Sequence, residues 1–319
     1  MGTILVTGCA GFIGSHVCTL LLEKGFSVIG IDNFDPFYNR SVKEMNLSKF
    51  KDHSSFSFYE IDITEGLDAV TEKNIDAVIH LAAKAGVRPS IEDPEGYIKV
   101  NINGTQKVHE FMQARQIRKL VFASSSSVYG NNKKMPFSES DNVDNPISPY
   151  AYTKKAGEQM NYTLHHLYNT DVINLRFFTV YGPGQRPDLA IHKFVKAIAN
   201  NQALVLFGDG ATARDYTYVD DTVSGIYNAL QYCLNNKGLY ETINLGNNKP
   251  VKLNELVDII YAEMGKEKQV VYEAMQPGDV DITYADISKA GNLLNYKPGT
   301  DMKTGIKKFI DWYKSLAEE

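Results

Sequence analysis

Cysteine is scarce in this chain of 319 residues, and the three present, Cys9, Cys18 and Cys233, form no C-x-x-C pair. That excludes a disulfide-stapled scaffold and the usual thiol signatures of zinc or redox dithiol sites, so no metal is expected. No apolar stretch reaches the ~18 residues of a spanning helix, and the opening MGTILVTG lacks a basic region followed by a long apolar run. The expectation is a cytoplasmic protein with no membrane partner, in which Asn46-Leu47-Ser48 and Asn161-Tyr162-Thr163 are sequons only by accident of composition. Basic runs are missing as well. With 33 Lys and Arg against 38 Asp and Glu the net charge is −5, and no nucleic-acid partner is expected, because a phosphate backbone demands a clustered positive face. What is present, 43% hydrophobic and 22% charged residues, is the composition of a globular protein able to bury a large core.

Up to about residue 178, short β-branched runs alternate with helical patterns. The spacing predicts strands at Thr3–Thr7, Ser27–Ile31, Ser55–Tyr59, Ala77–His80, Leu120–Ser124 and Val172–Phe177, separated by helices such as Ile13–Lys24, Tyr97–Arg115 and Pro149–Tyr168. Such alternation builds a parallel sheet covered on both faces, because each crossover carries a helix. The fold class is therefore α/β, a doubly wound parallel sheet of the Rossmann type. From Thr179 onward YGPGQRPD, FGDGATARD and MQPGDVD are turn-rich, with helical stretches between them, which points to a smaller α/β substrate-binding lobe. Asp220–Cys233 and Thr242–Leu245 are expected to return to the main sheet. The division is thus 1–178 plus about 217–246 for one domain, and about 179–216 plus 247–319 for the other.

The first strand runs into Gly8-Cys9-Ala10-Gly11-Phe12-Ile13-Gly14 and then a helix. Glycines there allow a tight turn and let backbone N–H groups reach a pyrophosphate at the helix N-terminus. A glycine triplet alone is weak, since such turns also serve packing. Here it follows the first strand, and the second strand ends at Asp32, a carboxylate placed to accept ribose hydroxyls and to repel a 2′-phosphate, which favours NAD over NADP. By position at the strand ends, Asp62 and Ile63 are candidates for the adenine edge, and Leu81, Ala82 and Ala83 for the length of the cofactor; ordinary loop roles compete with both readings.

In Ser148-Pro149-Tyr150-Ala151-Tyr152-Thr153-Lys154, Ser148 can cap a helix whose first turn suits Pro149, which sets Tyr150 and Lys154 on one face. A nearby ammonium lowers a phenol's pKa from its ordinary value of about 10 and lets it act as a base. With 19 tyrosines, chance spacings occur, and Tyr129 to Lys133 is one, but Gly130 and Asn131-Asn132 break any helix there. The fifth strand ends in Ser124-Ser125-Ser126-Ser127-Val128-Tyr129-Gly130, so a hydroxyl would stand beside Tyr150. Serines at a strand end are otherwise turn formers. Together these features describe hydride exchange with a secondary alcohol.

GCAGFIG, HLAAKAGVRPS, SSSSVYG, SPYAYTKK, RFFTVYGPGQRPD, ARDYTYVDD and MQPGDV, in this order, resemble the extended short-chain dehydrogenase/reductase family of nucleotide-sugar epimerases over nearly the whole chain. The resemblance implies Tyr150 as base, Lys154 as its electrostatic partner and ribose contact, and Ser125 as the catalytic hydroxyl. It adds Asn33, Asn101 and Phe177 to the cofactor residues. It places Arg214 and Arg186 on a diphosphate, Val205 and Phe207 along uracil, and Asp279 on the uridine ribose. It implies 4-epimerisation with NAD as resident cofactor, through a 4-keto intermediate, in a homodimer paired through Tyr97–Arg115 and Pro149–Tyr168. Arg88 is open between carboxylate, phosphate and a loop-capping role.

Related dehydratases carry an Asp-Glu pair at the positions of Ser126 and Ser127, and decarboxylases a Glu at Ser127. The hydroxyls here, with Thr179 in place of an asparagine, make a donor-rich pocket suited to a UDP-hexuronic acid. Gln276 stands where neutral-sugar epimerases generally carry a phosphate-binding arginine. The rival readings are an epimerase of neutral UDP-hexoses, then a decarboxylase, and, in a different class, a non-enzymatic NAD sensor.

Overall fold

The computed structural model describes residues 2–274 and 282–316. Its strands are β1 (Thr3–Thr7), β2 (Ser27–Asp32), β3 (Phe56–Glu60), β4 (Ala77–His80), β5 (Lys119–Ser125), β6 (Asp171–Phe177), β7 (Thr179–Tyr181), β8 (Leu204–Phe207), β9 (Ala213–Tyr218), β10 (Tyr240–Leu245), β11 (Pro250–Lys252), β12 (Val270–Glu273) and β13 (Ile282–Thr283). Seven of them form one parallel sheet in the order β10-β6-β5-β4-β1-β2-β3. The chain works outward from β1 to β3, then returns to the other side of β1 to lay down β4, β5 and β6. A crevice therefore opens between the carboxyl ends of β1 and β4, the switch point where open parallel sheets bind ligands. The doubly wound fold expected from the sequence is the one observed.

The central strands read as unbroken apolar runs, such as Ile4, Leu5 and Val6, because helices cover both faces. One apolar cluster lies under helices Phe12–Glu23 and Val219–Asn235, and a second, around Ile29, Val108 and Phe122, lies under Thr105–Ala114. The last strand of the sheet, β10, follows helix Val219–Asn235, as its apolar pattern suggested. A smaller sheet joins β9 to β7, β11 and β13, and β8 pairs with β12. Since β9 runs to Tyr218, residues 217 and 218 sit in that smaller sheet.

Helix Pro149–Tyr168 begins where the sequence indicates: the Ser148 hydroxyl accepts the Ala151 N–H at 3.1 Å, and Pro149 occupies the first turn. Its buried side fastens to the sheet through Glu158, which pairs with Arg176 of β6 through two bonds of 2.9 Å and accepts the Ser124 hydroxyl at 2.6 Å. The expected single helix Tyr97–Arg115 is instead Pro94–Ile98, a π-helical turn Lys99–Gly104, and Thr105–Ala114. The wider turn turns Asn101 inward, where its amide bonds both backbone groups of Lys84. The three cysteines are free and buried. Both sequon asparagines, Asn46 and Asn161, are fully buried. Among the described residues no helix is long and apolar enough to cross a membrane.

Candidate active site

The crevice at the switch point is a cavity of about 490 Å³ that runs from the glycine turn to the start of helix Pro149–Tyr168. At one end Gly8, Gly11, Phe12, Ile13 and Gly14 line it beneath the N-terminus of helix Phe12–Glu23. The turn is tight enough that only glycine fits: a Cβ on residue 14 would stand 2.0 Å from the Gly8 carbonyl oxygen, and Gly8 itself has φ +75°. This cradle, with the helix N-terminus behind it, fits the pyrophosphate of a dinucleotide. Asp32, at the end of β2, accepts the N–H groups of Ala10 (3.2 Å) and Phe34 (2.8 Å). Lone pairs remain on its carboxylate for ribose hydroxyls. Asp62 accepts the Asn33 amide at 3.0 Å, so these two residues close the adenosine end together. Ile63, Leu81, Ala82, Ala83 and Phe177 also line the cleft.

At the other end stand Tyr150, Lys154, Ser125, Ser126, Ser127, Thr179 and Arg186. The Ser125 hydroxyl accepts the Ser127 N–H at 3.1 Å and donates to the Ser127 hydroxyl at 3.2 Å, which holds it at the strand end. Tyr150 is half-buried, its ring edge-on to Tyr97 with centroids 6.2 Å apart. Burial raises its pKa above the ordinary phenol value, while the Ser125 hydroxyl, whose one hydrogen can turn from Ser127 to the phenol oxygen, and the charge of Arg186 pull the other way. Lys154 donates to the Ala123 carbonyl at 2.8 Å, and burial lowers its pKa to about 7.

With no cofactor bound, burial disfavours both the phenolate of Tyr150 and the ammonium of Lys154, and the groups that favour the phenolate are Ser125 and Arg186. Arg186 is held by two bonds to Asp188, of 2.9 and 2.7 Å, and its guanidinium lies 5.2 Å from the Phe37 ring centroid.

Several expected residues lie elsewhere. Asn101 is buried behind the cleft and reaches it through Lys84. Arg88, on helix Val87–Glu92, is exposed and does not line the cavity. Val205 and Phe207 of β8 and Arg214 of β9 stand on the smaller sheets, also outside the cavity lining. Asp279 and Gln276 lie outside the described residues. Sequence reasoning missed Lys43, a buried lysine 3.6 Å from Asp32, together with Phe37 and Tyr38 at the cleft wall. Lys43 belongs to a helix that follows β2 only after a loop, so no spacing rule connected it to the acid.

A parallel sheet with a glycine cradle at one end of its crevice and a Tyr–Lys–Ser set at the other defines an extended short-chain dehydrogenase/reductase. The family model described as GDP-mannose 4,6 dehydratase matches residues 5–309, and the chain belongs to that family. It is 44% identical over 323 residues to the UDP-glucuronate 4-epimerase of Thermodesulfobacterium geofontis, covering 100% of this chain and 98% of that one. With UDP-glucuronate 4-epimerase 1 of Arabidopsis thaliana it shares 41% identity over 98% of this chain and 77% of the plant protein. The crystal structure of UDP-glucuronic acid 4-epimerase from Bacillus cereus in complex with UDP-glucuronic acid and NAD superposes with a TM-score of 0.92 at 36% identity, over 98% of this chain and 99% of that one.

The state of Lys154 has a measurable consequence. Because its folded pKa is lowered from 10.5 to about 7, the unfolded chain binds more protons between those values, and stability of the cofactor-free protein rises with pH across that window. Cofactor-free Lys154→Met should therefore melt above the wild type near pH 7, with the gap narrowing toward pH 10. Equal melting temperatures throughout would show that the lysine is not penalised by burial.

Proposed function

We propose that the protein is an NAD-dependent UDP-glucuronate 4-epimerase, converting UDP-glucuronate to UDP-galacturonate through a transient 4-keto sugar. The observation that carries this reading is the convergence of the glycine cradle, Tyr150, Lys154 and Ser125 on one cleft, in a chain whose relatives bear that name. When bound, oxidised NAD supplies an acceptor, and then a donor, for the hydrogen at the sugar C4, together with the positive ring charge that the protein alone lacks. Tyr150 enters this step as the phenolate, which a hydrogen turned to it from the Ser125 hydroxyl and the charge of Arg186 favour, and it becomes a phenol as it takes the proton of the 4-hydroxyl. Lys154, four residues on, holds the ribose. The keto sugar turns over within the pocket, and Tyr150 returns the proton from its phenol to the oxygen. Gly8, Gly11, Phe12, Ile13, Gly14, Asp32, Asn33, Asp62, Ile63 and Leu81–Ala83 hold the cofactor. Arg186 and Arg214 take the diphosphate, Val205 and Phe207 the uracil, and Asp279 the uridine ribose.

NMR of the sugar product after incubation with UDP-glucuronate should show the galacturonate, and Tyr150→Phe should lower kcat by about 10²–10⁴-fold, the usual weight of a positioned proton-transfer group. A product with the C4 configuration unchanged, or full activity in the phenylalanine variant, would refute the reading.

The hydroxyls of Ser126, Ser127 and Thr179 line the same end of the cleft without adding negative charge. A 4-keto-hexuronate is a β-keto acid that loses carbon dioxide readily, so a grip that holds its carboxylate away from the decarboxylating geometry protects it. Ser126→Glu and Thr179→Ala should raise the proportion of decarboxylated pentose among the products. An unchanged ratio would remove the carboxylate grip from this account.

The division into a dinucleotide domain, 1–178 plus about 217–246, and a sugar-nucleotide lobe is part of the same reading, as is a cytoplasmic homodimer. Ile91 (63% exposed), Val87 and Ile98 lie on the short helices beside Pro149–Tyr168, whose own Tyr162 and Leu167 (60% exposed) are uncovered apolar side chains. Surfaces of this kind mark contacts between chains. Light scattering should return twice the chain mass, and Ile91→Asp with Leu167→Asp should halve it; a monomeric wild type would exclude the dimer.

A further inference from the structure

His80 ends β4 directly beneath the cleft, is 1% exposed, and has no part in the mechanism above. Both ring nitrogens are bonded: Nδ1 lies 2.6 Å from the Thr7 hydroxyl and Nε2 lies 3.0 Å from the Thr105 hydroxyl. The surrounding bonds decide which nitrogen carries the hydrogen. The Thr7 oxygen already accepts the N–H groups of Leu81 (3.2 Å) and Ala82 (3.1 Å), so its own hydrogen goes to Nδ1. The Thr105 hydroxyl donates to the Asn101 carbonyl at 2.7 Å, so it accepts from Nε2–H. From Asn101 the side-chain amide donates at 3.0 Å to the Thr153 hydroxyl, which donates at 2.9 Å to the Tyr150 carbonyl. Every step is short and nearly every member is fully buried.

We infer that His80 is a positioning residue, a neutral Nε2–H imidazole that fixes the floor of the cofactor site, Leu81–Ala83, against the π-helical turn and, through Thr153, the start of the catalytic helix. The inference rests on the reading of the cleft as an NAD site.

An imidazolium would break this arrangement, because a hydrogen on Nδ1 would leave the Thr7 hydroxyl hydrogen without an acceptor. The surroundings favour the neutral ring: burial and the facing cations or titratable groups, Lys154 from helix Pro149–Tyr168 and His109 from helix Thr105–Ala114, all hold its pKa well below the ordinary histidine value. The β5 neighbour is the uncharged ring of Phe122, 5.7 Å between centroids. Two-sided bonding also restricts ring rotation, so the position of the Leu81–Ala83 backbone is tied to that of Tyr150 by hydrogen bonds as well as by packing.

The direct test is 15N NMR of histidine-labelled holoenzyme, with the His80 signals assigned by their loss in His80→Gln. The expected pattern is an Nε2–H tautomer unchanged from pH 6 to pH 9; an Nδ1–H tautomer, or titration within that range, overturns the inference. Alongside it, Thr105→Val removes the acceptor of Nε2–H, and Thr105→Ser keeps it. The valine variant should bind NAD about tenfold more weakly and, with NAD saturating, show kcat lower by a similar factor, as expected when a buried donor loses its partner, while the serine variant stays within about twofold. A valine variant that loses only thermal stability, with NAD affinity and kcat unchanged, overturns the positioning role. Neither NAD binding nor the tautomer depends on the sugar, so a wrong substrate assignment leaves these results standing, whereas a wild type that fails to bind NAD overturns the function and this inference together.

Discussion

Desolvation of two groups at the end of one crevice governs this molecule. Tyr150 and Lys154 are both driven toward their uncharged forms by burial, the phenol upward and the ammonium down to about 7. With both groups disfavoured as ions, Arg186 is the charge in the cleft that favours the phenolate. The rest of the structure keeps those two side chains dry and aimed: the switch point of the sheet provides the crevice, and the helix that carries them is fastened below.

That fastening is electrostatic as well as apolar. Tyr150, Lys154 and Glu158 succeed one another at intervals of four on one face of the helix, and the last of them is locked to Arg176 and Ser124. Breaking such a buried pair by removing one partner typically costs ~3–5 kcal/mol, because the remaining charge is left without compensation. Ser124 adjoins Ser125, so the same pair that holds the helix also holds the strand end presenting the Ser125 hydroxyl. Asn244, which accepts the Tyr129 hydroxyl at 2.7 Å, ties the following turn to β10.

Much of this was legible in the sequence because it is local. Strand β4, strand β1 and helix Pro149–Tyr168 fall at the expected residues, since β-branched runs and a Ser-Pro helix start act over a few positions. The glycine turn was equally readable, as its steric demand is met within one loop. What escaped depends on contacts between distant segments. Lys43 meets Asp32 only after an intervening loop folds back, the π-helical turn accompanies the bond from Asn101 to Lys84, and the lowered pKa of Lys154 is a property of its surroundings. Residue type and spacing bring Tyr150 and Lys154 to one cleft, while the burial that acts on both belongs to the surrounding fold.

The central claim is that Tyr150 empties and refills a single carbinol carbon of the sugar in a closed pocket, with the departing hydrogen returned to the carbon it left. Its most direct measurement is mass spectrometry and NMR of the product formed from UDP-glucuronate deuterated at C4, in ordinary water. The account predicts that the inverted sugar keeps its deuterium at C4. Exchange of that deuterium for solvent hydrogen would contradict it.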